Sequence, residues 1–177
     1  MTAFFEDETQ FMRQTQQNLI KQLDIELKNI EHKIETMIKT MPGWNTNYCL
    51  IQTVKGIGPI IAMYIMIYTE NFTRFTSHKR FASYAGIAPF EYSSGSSIRG
   101  RTRVHPCANK QLKSLLNLAA MNTITIPGEY KQYYQKRQQL GKNNMSTLNI
   151  IRNKLIARMF AVVKRQTPYV DIHKFVA

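Results

Sequence analysis

The chain has 177 residues, room for one domain of about 100–150 residues and an appendage, and its 44% hydrophobic and 20% charged content excludes a disordered chain. Two cysteines, Cys49 and Cys107, with no CxxC spacing and no paired histidines, exclude a disulfide framework and a structural zinc site; an acidic start and a longest apolar run at residues 59–68 exclude a signal peptide and a membrane span. The net charge of +13 is polarised: residues 1–35 hold seven acids against four bases, and the rest of the chain holds 20 bases against Glu70, Glu91, Glu129 and Asp171, an excess that points to a polyanionic partner, DNA first.

Apolar residues at Ile20, Leu23, Leu27, Ile30, Ile34, Met37 and Met41 alternate in steps of three and four. This heptad seam predicts one long helix, ended by Pro42-Gly43, whose apolar stripe is buried against a second helix of this chain or of another copy. From about Asn47 a second helix leads into Lys55-Gly56-Ile57-Gly58-Pro59, and Pro59 suits the first turn of a third helix, where its missing N–H is not needed. Residues 60–68 are apolar on every side, which places that helix at the centre of the core. A short helix over residues 77–85 is followed by a loop-like stretch, residues 92–103, with a short hairpin near residues 91–104. Helices follow at about 109–123, 129–139 and 146–165. The last puts Leu148, Ile151, Leu155, Met159 and Val162 on one stripe and Arg152, Lys154, Arg158 and Lys164 largely off it. The fold class is all-α, divided into a coiled-coil-like connector helix in residues 1–46 and a helical domain in residues 47–177.

Three features bear on chemistry. Lys55, Gly56 and Gly58, ahead of a Pro-started helix, resemble the turn of a helix-hairpin-helix module, in which glycines admit a phosphate close to the backbone and helix N–H groups face it. Between Tyr92 and Lys113 there are five bases (Arg99, Arg101, Arg103, Lys110 and Lys113) and no acid. Arginines alternating along an extended segment aim planar guanidinium forks to one side, a fit to a DNA backbone. Immediately upstream stand Ser93 and Ser94, beside Gly95. A serine hydroxyl is a weak nucleophile unless a base, a metal or nearby cations stabilise the charge that develops on attack, and Ser-Ser-Gly alone marks a turn more often than a catalyst. His78 and His105 have no evident partner and suggest ordinary surface or capping residues.

The blocks Lys55-Gly-Ile-Gly-Pro-Ile, Phe72-Thr-Arg-Phe-Thr-Ser-His-Lys-Arg-Phe-Ala-Ser-Tyr-Ala-Gly-Ile-Ala-Pro, Tyr92-Ser-Ser-Gly and Asn109-Lys-Gln-Leu-Lys, in this order and spacing, resemble the transposase domain of the insertion-sequence one-ten family, relatives of the Piv and MooV DNA invertases. The likeness is close from about residue 47 to 125 and looser to Tyr169. It implies a C-terminal domain that acts with an N-terminal RuvC-like domain, whose four acids bind divalent metal, Mg among the candidates, through a coiled-coil connector. It further implies DNA as partner, a structured guide RNA, homo-oligomers through the connector helix, and a place in the bacterial cytosol with the nucleoid. By the resemblance the nucleophile falls on Ser94, with Ser93 a close rival, and Lys55, Gly56, Gly58, Arg99, Arg101, Arg103, Asn109, Lys110 and Lys113 become the nucleic-acid-binding set.

Two departures stand out. Where many relatives carry Ile-Ser-Lys-x-Gly-Asn, this chain reads Val104-His-Pro-Cys-Ala-Asn109, so the usual lysine is replaced. No four-acid constellation exists, so no metal site is expected in these residues. The expectation is therefore the serine-bearing part of a transposase or site-specific recombinase, inactive alone; the alternative is a non-catalytic helix-hairpin-helix DNA-binding or dimerisation module.

Overall fold

The computed structural model describes residues 2–88, 93–94, 98–99 and 108–171. Among them the order is α1 (Thr2–Thr40), α2 (Trp44–Gln52), α3 (Pro59–Thr69), α4 (His78–Tyr84), β1 (Ser93–Ser94), β2 (Ile98–Arg99), α5 (Lys110–Thr125), α6 (Glu129–Gln139) and α7 (Asn144–Arg165). The fold is all-α, and the chain forms two compact units, Met1–Thr40 and Met41–Ala177.

The first unit is a single helix of 39 residues. Within this helix taken by itself, the seam residues Ile20, Leu23, Leu27, Ile30 and Met37 are each more than half exposed. Propensity and the absence of Gly or Pro carry this helix.

In the second unit the organising element is α7, which packs on α2, α4, α5 and α6. Its predicted stripe is its buried face, with Ile151, Leu155, Met159 and Val162 fully enclosed, each worth about 1.5–3 kcal/mol of apolar burial. α3, expected at the centre, is flanked by α2 and α5 and leaves Ile60 and Ile67 exposed. Its hydrophobic composition overstated its burial because only Ala62, Met63, Ile65, Met66 and Thr69 turn inward.

Local chemistry sets the helix starts. Ser77, Asn109 and Asn143 cap α4, α5 and α7, their side-chain oxygens accepting from the N–H groups of Arg80, Leu112 and Ser146. Such a cap contributes about 1 kcal/mol. Pro59 opens α3 behind Gly58 as expected. After α3, Glu70, Asn71 and Phe72 all take left-handed backbone, a turn held by the Asn71 N–H on the Met66 carbonyl and by Asn47 Nδ2 donating to Asn71 Oδ1. It delivers Phe72 edge-on to Phe160 of α7, ring centres 4.9 Å apart.

Candidate nucleic-acid interface

The hairpin between α2 and α3 is a tight turn, closed by the Ile57 N–H on the Val54 carbonyl. Its two glycines have different jobs. Gly56 sits at φ +87°, and a Cβ there would come within 2.3 Å of Thr123 Cγ2 and 2.9 Å of the Ala119 carbonyl oxygen. Gly56 therefore lets the hairpin press against α5. Gly58 has open space where a Cβ would stand, directly before the free N–H groups of α3, the position from which a phosphate is reached. An open groove of about 610 Å³ runs beside the turn, lined by residues 52–58 and by Asn122, Thr125 and Ile126, with no acid among its walls.

Lys55 is tied into the fold. Its ammonium donates to Asp171 Oδ2 at 2.9 Å and to the Pro127 carbonyl at 3.0 Å, leaving its third N–H for another acceptor. Gly128 makes room for that ammonium, since a Cβ there would lie 2.5 Å from Nζ. The residues near Asp171 follow the hairpin, the Tyr169 N–H donating to Thr53 Oγ1 at 2.8 Å.

At the start of α5, Lys110 and Lys113 are exposed and form no ion pair among the described residues. Asn109 is half-buried; its side chain is the α5 cap and its N–H is held by the Tyr84 carbonyl at 2.9 Å. Gln111, between the two lysines in sequence, donates to Tyr64 Oη and accepts from Tyr68 Oη, both at 3.1 Å. These tyrosines stack at 6.3 Å, giving α3 and α5 an aromatic flank beside the basic helix start. Sequence reading missed this flank, although the i, i+4 spacing of Tyr64 and Tyr68 was a usable signal.

In the stretch where a short hairpin is expected, the described residues are those of the β1–β2 ladder, in which Ser93 is directly opposite Arg99 and Ser94 opposite Ile98. The backbone thus brings the serine pair and Arg99 together. Arg101 and Arg103 lie outside the described residues, as does Gly95.

α6 and α7 hold a second cationic cluster. Glu129 accepts from Arg158 Nη2 and pairs with Lys154 at 3.5 Å. Burial pushes the Glu129 carboxyl up, but the Arg158 hydrogen bond and charge and the Lys154 charge outweigh it, so the group titrates below the usual carboxylate range. Arg158 also lies over the rings of Tyr130 and Tyr169 at 4.6 and 4.9 Å. These cations hold the bundle together. Arg152 is different: it is 4% exposed, and its Nε is buried without a partner.

Among the described residues no group of three His, Cys, Asp or Glu side chains could hold a metal ion, and no helix is long and apolar enough to cross a membrane. The described side chains therefore do not form a divalent-metal centre.

Residues 48–135 match the Transposase IS116/IS110/IS902 family, and the chain belongs to it. It is 28% identical over 146 residues to the pilin gene-inverting protein of Moraxella lacunata, covering 81% of this chain and 45% of that protein, and has the same identity and coverage against its counterpart in Moraxella bovis. It is 28% identical over 120 residues to an insertion element IS110 uncharacterized 43.6 kDa protein of Streptomyces coelicolor, covering 68% of this chain and 29% of that one. The chain thus spans less than half the length of these relatives.

Proposed function

We propose that residues 41–177 form the DNA-gripping, serine-bearing part of a recombinase that moves or inverts DNA segments. The observation that carries this reading is the ladder register, which sets the Ser93-Ser94 pair against Arg99 in a family of transposases. The serine oxygen attacks a backbone phosphorus, the bond to one bridging oxygen breaks, and that oxygen leaves with the proton the hydroxyl gives up. The phosphoserine ester keeps the bond energy for rejoining to a new strand. Guanidinium groups at Arg99, Arg101 and Arg103 stabilise the charge on the phosphoryl oxygens. Ser94 is the leading nucleophile by its place in the motif; Ser93, opposite Arg99, is its rival.

Lys110, Lys113 and the open backbone at Gly58 hold flanking phosphates. Lys55, with one N–H left, adds less, and Gly56 and Asn109 act by shaping the hairpin and the α5 start. The divalent metal belongs to a RuvC-like domain outside these residues, and a guide RNA pairs with the DNA. The exposed α1 seam supports homo-oligomers, a coiled-coil geometry that sedimentation checks. A cytosolic, nucleoid-bound protein follows from this reading.

The test uses a full-length protein built on this sequence and a nicked DNA substrate. Ser94→Ala is expected to abolish both strand transfer and the protein–DNA adduct seen by mass, with DNA affinity unchanged; loss with Ser93→Ala instead moves the nucleophile by one residue. Wild-type binding with no adduct at either serine would refute catalysis and leave the non-catalytic binding module.

A further inference from the structure

α3 is apolar throughout, yet one face of it stays open. Ile60 and Ile67 are exposed, and Tyr64 and Tyr68, at helical spacing with them, are half-buried. The two tyrosine rings lie nearly parallel, 17° apart in plane with centres 6.3 Å apart. Gln111 of α5 fixes both at their tips, donating to Tyr64 Oη and accepting from Tyr68 Oη. With the hydroxyls engaged inside the fold, what these rings offer a ligand is chiefly π surface.

The rings continue past α3. Tyr84, at the end of α4, is 6.4 Å from Tyr68, and Phe75 is 5.2 Å from Tyr84. The Arg74 guanidinium lies over these last two rings, 5.1 Å from Tyr84 and 5.4 Å from Phe75. The result is a strip of four half-buried rings with a cation over one end, and with the exposed Lys110 next to Gln111 at the start of α5.

Charge selects the occupant. α3, α4 and α5 contain no acid, and Glu70, which follows α3, makes only an exposed contact with Arg74 at 4.0 Å, one that solvent screens. An apolar protein surface gains nothing from such cations. A duplex offers its phosphates but keeps its base faces stacked inside. A ligand with flat π faces strung along an anionic backbone is an unpaired nucleic-acid strand. Exchange of DNA strands unpairs bases where the strands cross, so under the recombination reading above, on which this inference rests, the strand is DNA.

We propose that Tyr64, Tyr68, Tyr84 and Phe75 form a stacking platform for unpaired bases of a DNA strand, with Arg74 and Lys110 on its phosphates. Recognition through ring faces is tolerant of sequence. The role is binding and positioning.

The test compares, on the 177-residue chain, binding to a labelled thymidine strand of about 12 nucleotides with binding to a mixed-sequence duplex, alongside thermal melting. Tyr64→Leu combined with Tyr68→Leu keeps apolar contact and removes the π faces; single-strand affinity is expected to fall about tenfold, with duplex affinity and the salt slope unchanged. Tyr64→Phe combined with Tyr68→Phe loses only the Gln111 bonds, and is expected to bind the single strand within about twofold of the wild type. A strand of equal length made abasic keeps the charge without the faces, and is expected to bind the wild type as weakly as the intact strand binds the Leu variant. Single-strand affinity that survives in the Leu variant, or that falls by the same factor as duplex affinity, would overturn the inference. So would equal binding of the abasic and intact strands by the wild type, a comparison that needs no variant to fold. Tighter binding of a uridine strand with the thymidine strand left unbound would overturn the assignment to DNA, and self-association that Tyr68→Arg abolishes and the thymidine strand does not compete with would give the face to a second copy of the chain. If the wild type binds neither strand nor duplex in a salt-dependent way, the DNA reading itself fails; if it binds the duplex alone, only the stacking platform fails.

Discussion

In the sequence, the turn at Lys55 and the start of α5 at Lys110 look alike: each puts a base at the entrance to a helix. In the structure they differ. The Lys55 ammonium is engaged by Asp171 and the Pro127 carbonyl, whereas Lys110 and Lys113 stand exposed with no carboxylate paired to them among the described residues. A cation is available to DNA only where the fold leaves it without an anion, and the anion that claims Lys55 comes from 116 residues away.

The sharpest way to break this comparison is within the hairpin itself. Gly56→Ala forces a Cβ into Thr123 and the Ala119 carbonyl at a positive φ, and is expected to cost about 3 kcal/mol in urea unfolding, from overpacking and left-handed backbone together. Gly58→Ala meets nothing; it is expected to stay within about 0.5 kcal/mol of the parent while weakening DNA binding. Equal losses from the two would show that the glycines share one role.

The paired cations of α7 extend the contrast. Glu129→Gln leaves Arg158 and Lys154 without their carboxylate and is expected to lower stability by about 2 kcal/mol. Because the folded pKa of Glu129 lies below its ordinary value of 4.5, its contribution is fully present above that value and disappears as pH falls through the depressed folded value. A melting temperature that drops as the pH falls below about 4.5 in the parent, and less so in Glu129→Gln, checks the sign.

The smallest effects separate the lysines. Lys55→Met is expected to lose about 1–2 kcal/mol of stability, since it removes the ammonium paired with the mostly buried Asp171 carboxylate, with little change in salt dependence. Lys110→Gln and Lys113→Gln should each leave stability within about 0.5 kcal/mol and flatten the salt slope by about 0.9. The reverse pattern would contradict the division between them.

Much of the bundle was legible because helix signals are local: the α7 stripe and the Pro59 start follow from neighbouring residues. What could not be read depended on distant partners. Composition marked α3 as central, but α7 crosses more neighbours and takes that place. The Ser-Arg proximity was suggested by order along the chain and is set by the ladder register, whereas the Lys55–Asp171 pair and the burial of Arg152 had no local signal. Helical spacing put Arg152 off the apolar stripe; the surrounding helices enclose it all the same.

The central claim is that the second unit grips the DNA backbone through exposed cations. Its most direct test is equilibrium binding of the chain to duplexes of two unrelated sequences across a range of KCl concentrations. The account predicts equal affinities that fall linearly on a log–log plot with a slope steeper than about −3, the signature of several neutralised phosphates. A slope near zero, or binding confined to one sequence at every salt concentration, would contradict it.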